Sequence, residues 1–283
     1  MIPAAFDYVR PSTVDEALSA LSEAGEDAKV LAGGQSLLPV LRMRLAYPST
    51  LIDVSRLDEL RGVRDDGDAI VIGAMTTHDE VLHDPLVARH APLIAQAAAT
   101  VGDRQVRHLG TFGGSLSHAD PAGDLPTIAL TLDATLNVQG PSGSRSVAAS
   151  DFFVDYLTTT LAPDELLTSV RIPKLDGWGT HYEKFNLVAQ SWAIVGVAAM
   201  VRRSNGSIVE ARVGLTNMGT TPLRARGVEQ ALAGASVSAD AVRAAAEHVA
   251  EGTHAPSDLS GQADYREHLA AVLTRRAVLA AAG

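Results

Sequence analysis

Two glycine-rich segments carry the residue types in this chain that are best suited to binding chemistry. Residues 31–36 read LAGGQS, and residues 110–124 read GTFGGSLSHADPAGD. Each pairs two adjacent glycines with a small hydroxyl residue, and the first follows an apolar run that predicts a strand. Glycine lets a backbone come close to a bulky ligand, and the N–H groups of such turns bind anions. We therefore expect two loops that hold one anionic ligand from both sides.

The composition excludes several classes of function. A formal net charge of −10 over 283 residues, without any run of Lys and Arg, excludes a surface for nucleic acid or anionic membrane. The chain contains no cysteine, which excludes disulfides, thiol catalysis and thiolate-held clusters within it. Any iron–sulfur centre that works with it must lie in another polypeptide. The length predicts about two domains, and 46% hydrophobic residues suffice for buried cores.

The sequence shows no predicted targeting segment or membrane span. Its longest apolar stretch, residues 193–201, is far shorter than the ~20 residues that a membrane-spanning helix needs. The first residues lack a basic segment followed by an apolar one. We therefore expect a cytoplasmic protein.

Helices and strands alternate in the first part of the chain. The predicted elements are a helix capped by Ser12 and ended by Gly25, a strand at 29–31, a helix capped by Ser36 and continuing to about Leu45, strands at 51–54 and 69–72, a capping box of Thr77 with Glu80, and one helix over 85–100. This order places the first glycine pair at a strand-to-helix turn.

The pattern changes after the second glycine-rich segment. The predicted elements are a helix at 125–132, a hairpin of 135–139 with 145–148, a strand at 166–172, a linker at 176–179, a second hairpin of 193–203 with 207–216, and helices at 227–233, 239–251 and 263–281. Strands followed by helices, after an alternating first part, favour an α+β fold with a domain boundary near residues 174–180.

Three motifs together resemble the FAD-binding motifs of the medium subunits of molybdenum-containing hydroxylases. They are AGGQSLLP at 32–39, TFGGS at 111–115 and HADPAGDLP at 118–126. The resemblance is greatest to carbon monoxide dehydrogenase medium subunits and spans nearly the whole chain. It includes FDY at 6–8, EKF at 183–185 and WAIVGVA at 192–198.

The resemblance implies both a fold and a role. The fold is a two-lobed FAD-binding domain of the vanillyl-alcohol-oxidase and p-cresol-methylhydroxylase type over 1–176, with lobes at 1–57 and 58–176, then a small antiparallel sheet packed on helices over 177–283. The role is electron transfer beside a large molybdenum–pterin subunit and a small subunit with two 2Fe–2S clusters, in a heterohexamer with two copies of each. In that arrangement this chain holds FAD without a covalent link and carries neither a metal nor a catalytic residue.

The resemblance also implies which residues contact the cofactor. Backbone N–H groups and hydroxyls of two segments would bind the FAD phosphates: Ala32, Gly33, Gly34, Gln35 and Ser36 in the first, and Thr111, Phe112, Gly113, Gly114 and Ser115 in the second. The four glycines would let the backbone approach the pyrophosphate. Asp124 would accept hydrogen bonds from the ribityl or ribose hydroxyls, and Val101 and Leu167 would pack on the cofactor. Lys184 would lie beside the flavin ring, and Trp192 would cover the ring edge.

Several residue assignments have structural alternatives. Asp124 is also placed to cap the helix that follows it, Lys184 could be an exposed strand lysine, and Trp192 a core aromatic. For His118 with Asp120 we expect a hydrogen bond that braces the loop, since no third ligand stands at metal spacing. We expect three further histidines at the surface: His78, His83 and His90.

The functional alternatives are a self-contained flavin oxidoreductase with its own substrate, and a nucleotide-binding scaffold without redox activity. Val188 and Ser191 replace an arginine and an aspartate that are common in relatives resembling xanthine dehydrogenase, which places NAD in doubt as acceptor. The sequence specifies neither the substrate of the complex nor its external electron acceptor.

Overall fold

The computed structural model describes residues 2–283. Met1, the first residue of the predicted N-terminal lobe, lies outside the described residues. The strands are β1 Asp7–Val9, β2 Ala28–Leu31, β3 Thr50–Asp53, β4 Val63–Asp66, β5 Ala69–Gly73, β6 Thr135–Gly140, β7 Gly143–Ala148, β8 Phe153–Asp155, β9 Thr158–Thr159, β10 Leu166–Pro173, β11 Gly179–Phe185, β12 Val195–Ser204, β13 Ser207–Thr216 and β14 Leu223–Arg224. The α-helices are α1 Val14–Ala24, α2 Leu37–Arg42, α3 His78–His83, α4 Pro85–His90, α5 Pro92–Ala99, α6 Arg104–Leu109, α7 Phe112–His118, α8 Asp124–Thr131, α9 Ala149–Phe152, α10 Arg226–Leu232, α11 Ala239–Ala246 and α12 Ala263–Ala282.

The first part of the chain forms a three-stranded parallel sheet in the order β1-β3-β2, with α1 packed on it. Gly25 ends α1 with a positive φ of 70°, as predicted. The predicted cap at Ser12 is wrong. Thr13 has the extended backbone of a cap, and its side chain accepts the N–H of Glu16, so the helix begins one residue later.

A five-stranded antiparallel sheet follows, in the order β4-β5-β10-β6-β7. One face buries Ile70, Ile72, Val170 and Ile172 against side chains from α3, α4, α5, α7 and α8. Strand β6 also buries one face more than the other, since Leu136 and Val138 are buried while the residues next to them in the strand are half-buried. The sheet thus supports α7, the helix that contains the second glycine pair.

The single helix predicted over residues 85–100 is wrong, because two helices occupy this range. Ala91 has φ −144° and ψ 52°, so the helix breaks there, and Pro92 begins α5. The proline ring disfavours helical backbone in the residue before it, and its missing N–H has no cost at the first helical position. After this break, α5 packs its apolar side chains into the core on the five-stranded sheet. It also contacts β11 of the C-terminal sheet.

The last sheet, in the order β11-β12-β13-β14, is antiparallel, and its strand β12 is buried on both faces over residues 195–201. Val197, Ala199 and Val201 of β12 pack against the C-terminal helices α10, α11 and α12. Ala198 and Met200, the residues between them, join the core formed with α5 and α8. Two-sided burial explains the continuous apolar run in this strand. The predicted α+β fold, two lobes followed by an antiparallel sheet on helices, is confirmed.

Among the helices of residues 2–283, none combines the length and apolar character that would allow it to cross a membrane.

The contact between α8 and β13 depends on Gly214. A Cβ at this position would collide with the Thr131 hydroxyl and lie 2.9 Å from Cγ2 of Thr127. We expect Gly214→Ala to lower the free energy of unfolding by about 2 kcal/mol, the usual cost of overpacking a tight core. Urea unfolding of the single variants and of Gly214→Ala combined with Thr131→Ala checks this. If the changes in the free energy of unfolding from the two substitutions simply add, a direct collision between the new methyl group and the Thr131 hydroxyl is contradicted.

Candidate functional site

The two glycine-rich segments lie side by side in the structure. A Cβ on Gly33 would collide with the carbonyl oxygen of Leu109 and lie 2.8 Å from Cα of Gly110. A Cβ on Gly114 would lie 3.6 Å from Cβ of Ala32. The segments predicted to share one ligand are therefore in contact, although they are far apart in the sequence.

The first segment forms the turn between β2 and α2, as predicted. Gly34 has a φ of +71°, a conformation that favours glycine. None of the five N–H groups of Ala32, Gly33, Gly34, Gln35 and Ser36 donates to an acceptor within residues 2–283. These residues are half-buried, so the turn presents a row of backbone donors with no protein partner.

Ser36 precedes α2 but does not cap it. Its backbone is helical, with φ −100° and ψ −45°, and its side chain makes no capping hydrogen bond. The capping role predicted for Ser36 is therefore wrong, and its hydroxyl is free to bind a ligand.

The glycine pair of the second segment lies in a helix, α7, and not in the expected loop, whereas residues 119–123 of that segment are not helical. Thr111 caps α7, and its hydroxyl accepts the N–H of Gly114 at 3.1 Å. The N–H groups of Phe112 and Gly113 donate to Thr76 and Ala74 at 2.9 Å, and Ser115 bonds Thr111. The expectation that these backbone donors are free for a phosphate is wrong, because protein oxygens accept them. The half-buried Ser115 hydroxyl makes no hydrogen bond within the described part of the chain.

Gly113 packs closely against the residue that follows β5. A Cβ there would lie 2.5 Å from Cβ of Ala74 and 2.7 Å from its Cα. Only glycine lets the first turn of α7 rest against the end of β5. Gly33 and Gly113 therefore each serve close packing within the protein, and their role in letting the backbone approach a ligand stays a prediction.

A buried ion pair joins two residues that the sequence analysis singled out separately. The Oδ2 atom of Asp124 accepts a hydrogen bond from Nζ of Lys184 at 2.8 Å, and both side chains are only 4% exposed. Lys184 also donates to the carbonyl oxygen of Thr100 at 3.2 Å. The alternative of an exposed strand lysine is therefore wrong. Asp124 is the first residue of α8, whose cap is Gly123, so a capping role is also wrong.

Tyr182 completes this buried cluster and was missed in the sequence. Its hydroxyl donates to Oδ1 of Asp124 at 2.6 Å. It lies two residues before Lys184 on β11, so both side chains point to the same face of the strand, which is the signal that could have found it. Burial raises the pKa of Asp124, and Lys184 and the Tyr182 hydroxyl oppose that rise. Burial and the neighbouring carboxylate raise the pKa of Tyr182 well above 10, so its hydroxyl remains a donor.

The remaining candidate residues differ in exposure. Val101 is half-buried directly after Thr100, and Leu167 is buried in β10. Trp192 is 53% exposed, so the alternative of a core aromatic is wrong. It lies between β11 and β12, in a segment that Gln190 ties to Asp103 by a hydrogen bond of 3.2 Å.

Two of the three histidines expected at the surface are buried. His78 and His90 are buried, contrary to the predicted surface position, whereas His83 is exposed. Nε2 of His118 and Oδ2 of Asp120 lie 3.9 Å apart and form no hydrogen bond with each other, but Oδ1 of Asp120 accepts the N–H of Ala122 at 2.9 Å, which is the expected loop-bracing bond. Within residues 2–283, no cluster of three metal-ligating side chains is found.

His78 packs beneath the second glycine segment. The backbone N–H of His78 donates to the carbonyl oxygen of Gly110 at 2.9 Å. The imidazole ring lies so close to that glycine that a Cβ on Gly110 would be 2.8 Å from Cδ2 of the ring. Burial, with the nearby Arg107 charge, lowers the pKa of His78 to about 4. The ring therefore carries no charge at neutral pH.

This burial predicts a pH-dependent stability. Below pH 6.5 the unfolded chain protonates His78 and the folded chain does not, so the free energy of unfolding falls as pH falls toward 4. Between pH 7 and pH 5 the loss is about 2 kcal/mol. We expect His78→Gln to abolish this part of the loss, and the exposed His83→Gln to retain it. Denaturant unfolding at both pH values measures the difference. An equal pH dependence in all three proteins would contradict the burial of a neutral ring.

Two family models match this chain. The FAD binding domain in molybdopterin dehydrogenase matches residues 4–175, and the CO dehydrogenase flavoprotein C-terminal domain matches residues 180–281. Together they cover nearly the whole chain in the order that the resemblance implied.

Individual relatives match over full length. The carbon monoxide dehydrogenase medium chain of Hydrogenophaga pseudoflava is 39% identical over 282 residues, which cover 99% of this chain and 98% of that protein. A solved structure of that organism's carbon monoxide dehydrogenase, in a form that lacks the Mo-pyranopterin moiety of the molybdenum cofactor, contains a chain that matches with a TM-score of 0.97 and 41% identity, over 99% of this chain and 98% of the other. Quinoline 2-oxidoreductase from Pseudomonas putida 86 matches with a TM-score of 0.96 and 35% identity, over 100% and 98%. The chain therefore belongs to the family of FAD-binding medium subunits of molybdenum hydroxylases, which are electron-transfer subunits of oxidoreductases.

Proposed function

We propose that this chain binds FAD without a covalent link, takes electrons from iron–sulfur clusters of a small partner subunit and passes them to an external acceptor. A large subunit with a molybdenum–pterin centre would supply those electrons. The observation that carries the proposal is the contact between two glycine segments, one of which presents five backbone N–H groups without a protein acceptor. The matched families support the same assignment.

The free donors fit the diphosphate of FAD. A pyrophosphate carries several acceptor oxygens and negative charge, and backbone N–H groups with hydroxyls can bind it without a basic side chain. The turn at residues 32–36 would supply the N–H groups, and Ser36 and Ser115 would supply hydroxyls. Phe112, Gly113 and Gly114 would shape this site through the first turn of α7 rather than through free N–H groups, and Thr111 would do so by capping that turn.

The buried cluster suits the other end of the cofactor. Of the roughly four acceptor positions on the Asp124 carboxylate, two are taken by Tyr182 and Lys184, so hydroxyls of the cofactor can use the others. The Lys184 ammonium would place positive charge near the flavin ring, and the exposed Trp192 would cover the ring edge. Val101 and Leu167 would provide apolar contacts. The flavin supplies the electron chemistry, while these residues orient it and tune its potential.

The absence of cysteine from the chain supports a division of labour among subunits. Iron–sulfur clusters need thiolate ligands, so they would belong to the small subunit. We propose a heterohexamer of two large, two medium and two small subunits, located in the cytoplasm. Within this chain we propose the FAD-binding domain at 1–176, with lobes at 1–57 and 58–176, and the C-terminal domain at 177–283.

The visible spectrum of the purified chain, with chromatography of heat-released cofactor, tests the proposal. We expect released FAD, and we expect reduction of the bound flavin by candidate substrates only after partner subunits are added. Direct reduction by a substrate would instead support a self-contained oxidoreductase. A folded sample without flavin, even after FAD is supplied, would contradict the assignment of the glycine segments.

Gly114→Val tests the site itself. The new side chain would press on the Thr111 hydroxyl, 2.6 Å from the added Cβ, and would fill the space toward Ala32. We expect loss of FAD retention with the C-terminal domain still folded, measured by flavin absorbance and by thermal unfolding. Ser117→Val, in the same helix, is the matched control and should keep its flavin. Stoichiometric flavin in the Gly114 variant would refute the proposed site.

A further inference from the structure

Tyr182 connects the Asp124–Lys184 pair to a buried polar chain that crosses the sheet. Its hydroxyl bonds Asp124 at 2.6 Å and lies 3.3 Å from Oγ1 of Thr216. The Thr216 hydroxyl in turn donates to Thr127 of α8 at 2.8 Å. All these side chains are buried. One hydroxyl group on β11 is therefore held between β13 and the first residue of α8.

The neighbouring strand leaves room for this hydroxyl. Gly196 lies on β12, and a Cβ at that position would collide with the Tyr182 hydroxyl and lie 3.0 Å from Cβ of Thr216. Glycine is otherwise unfavourable in the middle of a strand, because it has no side chain to pack. Its presence here leaves room for the tyrosine hydroxyl at the position from which it donates to Asp124.

We propose that Tyr182 is a positioning residue for the flavin site, whose hydroxyl fixes the Asp124 carboxylate so that this carboxylate holds Lys184 against the cofactor. The inference rests on the proposed function, since it requires FAD at this cluster. It extends that function by assigning a role to a residue that does not itself have to touch the cofactor.

The charges of the cluster explain why one hydroxyl matters. Lys184 and Tyr182, both from β11, are the titratable groups that face Asp124. Without the tyrosine donor, Oδ1 becomes a buried acceptor with no partner, and a proton binds the carboxylate more readily. A protonated Asp124 no longer neutralises Lys184. The uncompensated ammonium would then stabilise the negative charge of reduced flavin and raise its potential.

Tyr182→Phe in the isolated, flavin-containing complex tests the role, because it removes the hydroxyl and keeps the ring. We expect about ten-fold weaker FAD binding, the value of one hydrogen bond to a charged group. We also expect a flavin midpoint potential above that of wild type, with the difference growing as pH falls. Asp124→Asn should raise the potential further, and Lys184→Gln should lower it. Tyr156→Phe is the matched control, since Tyr156 is 61% exposed in the β8–β9 hairpin.

Gly196→Ala provides an independent second variant, because its methyl group displaces the hydroxyl without altering Tyr182. It should shift the potential in the same direction. An unchanged potential and FAD affinity in Tyr182→Phe would overturn the positioning role while leaving the proposed function intact, provided that wild type binds FAD. Failure of both variants to fold would also count against the role, because the hydroxyl would then be required for folding. Wild-type protein that binds no FAD would refute the proposed function instead.

Discussion

The buried ion pair of Asp124 with Lys184 is the interaction on which the rest of the structure depends. Removing two charges from water is costly, and such a pair is stable only where further hydrogen bonds complete it. Tyr182 and the Thr100 carbonyl supply those bonds. The pair joins the first residue of α8 to β11, so it crosses from the FAD-binding part of the chain to the C-terminal sheet. Loss of one partner would cost about 3–5 kcal/mol, because it would leave the other charge buried without compensation.

A second constraint is the close approach of backbone segments around the glycines. Gly33 rests on Leu109 and Gly110, Gly113 rests on Ala74, and His78 lies under Gly110. These contacts hold the turn after β2 against the start of α7 without any long side chain between them. The result is that the segment with the free N–H groups lies beside the hydroxyl-bearing helix of the other segment. A rigid backbone of this kind suits a large anionic cofactor that must remain in one orientation.

The C-terminal sheet has a structural role in this arrangement as well as a chemical one. Its face toward α5 and α8 carries Tyr182, Lys184 and Thr216, and its other face packs on α10, α11 and α12. The helices therefore support the strand that presents the charged groups. Fully buried Arg266 of α12 also donates to the carbonyl oxygen of Ile194 and to Asp258, which fixes the end of the segment that contains Trp192.

The sequence by itself determined the fold class, the order of the elements and the two glycine pairs, because periodicity, capping residues and turn residues act over a few neighbours. It also pointed to Asp124 and Lys184, through motifs that are local in the chain. It could not show that α7 begins at Phe112, or that Gly33 and Gly113 serve packing, since their partners Leu109 and Ala74 are distant in sequence. Tertiary structure alone decided that Asp124 and Lys184 pair, that Tyr182 completes the pair and that His78 is buried. Burial and ion pairing depend on which surfaces meet, and only the packed fold brings those surfaces together.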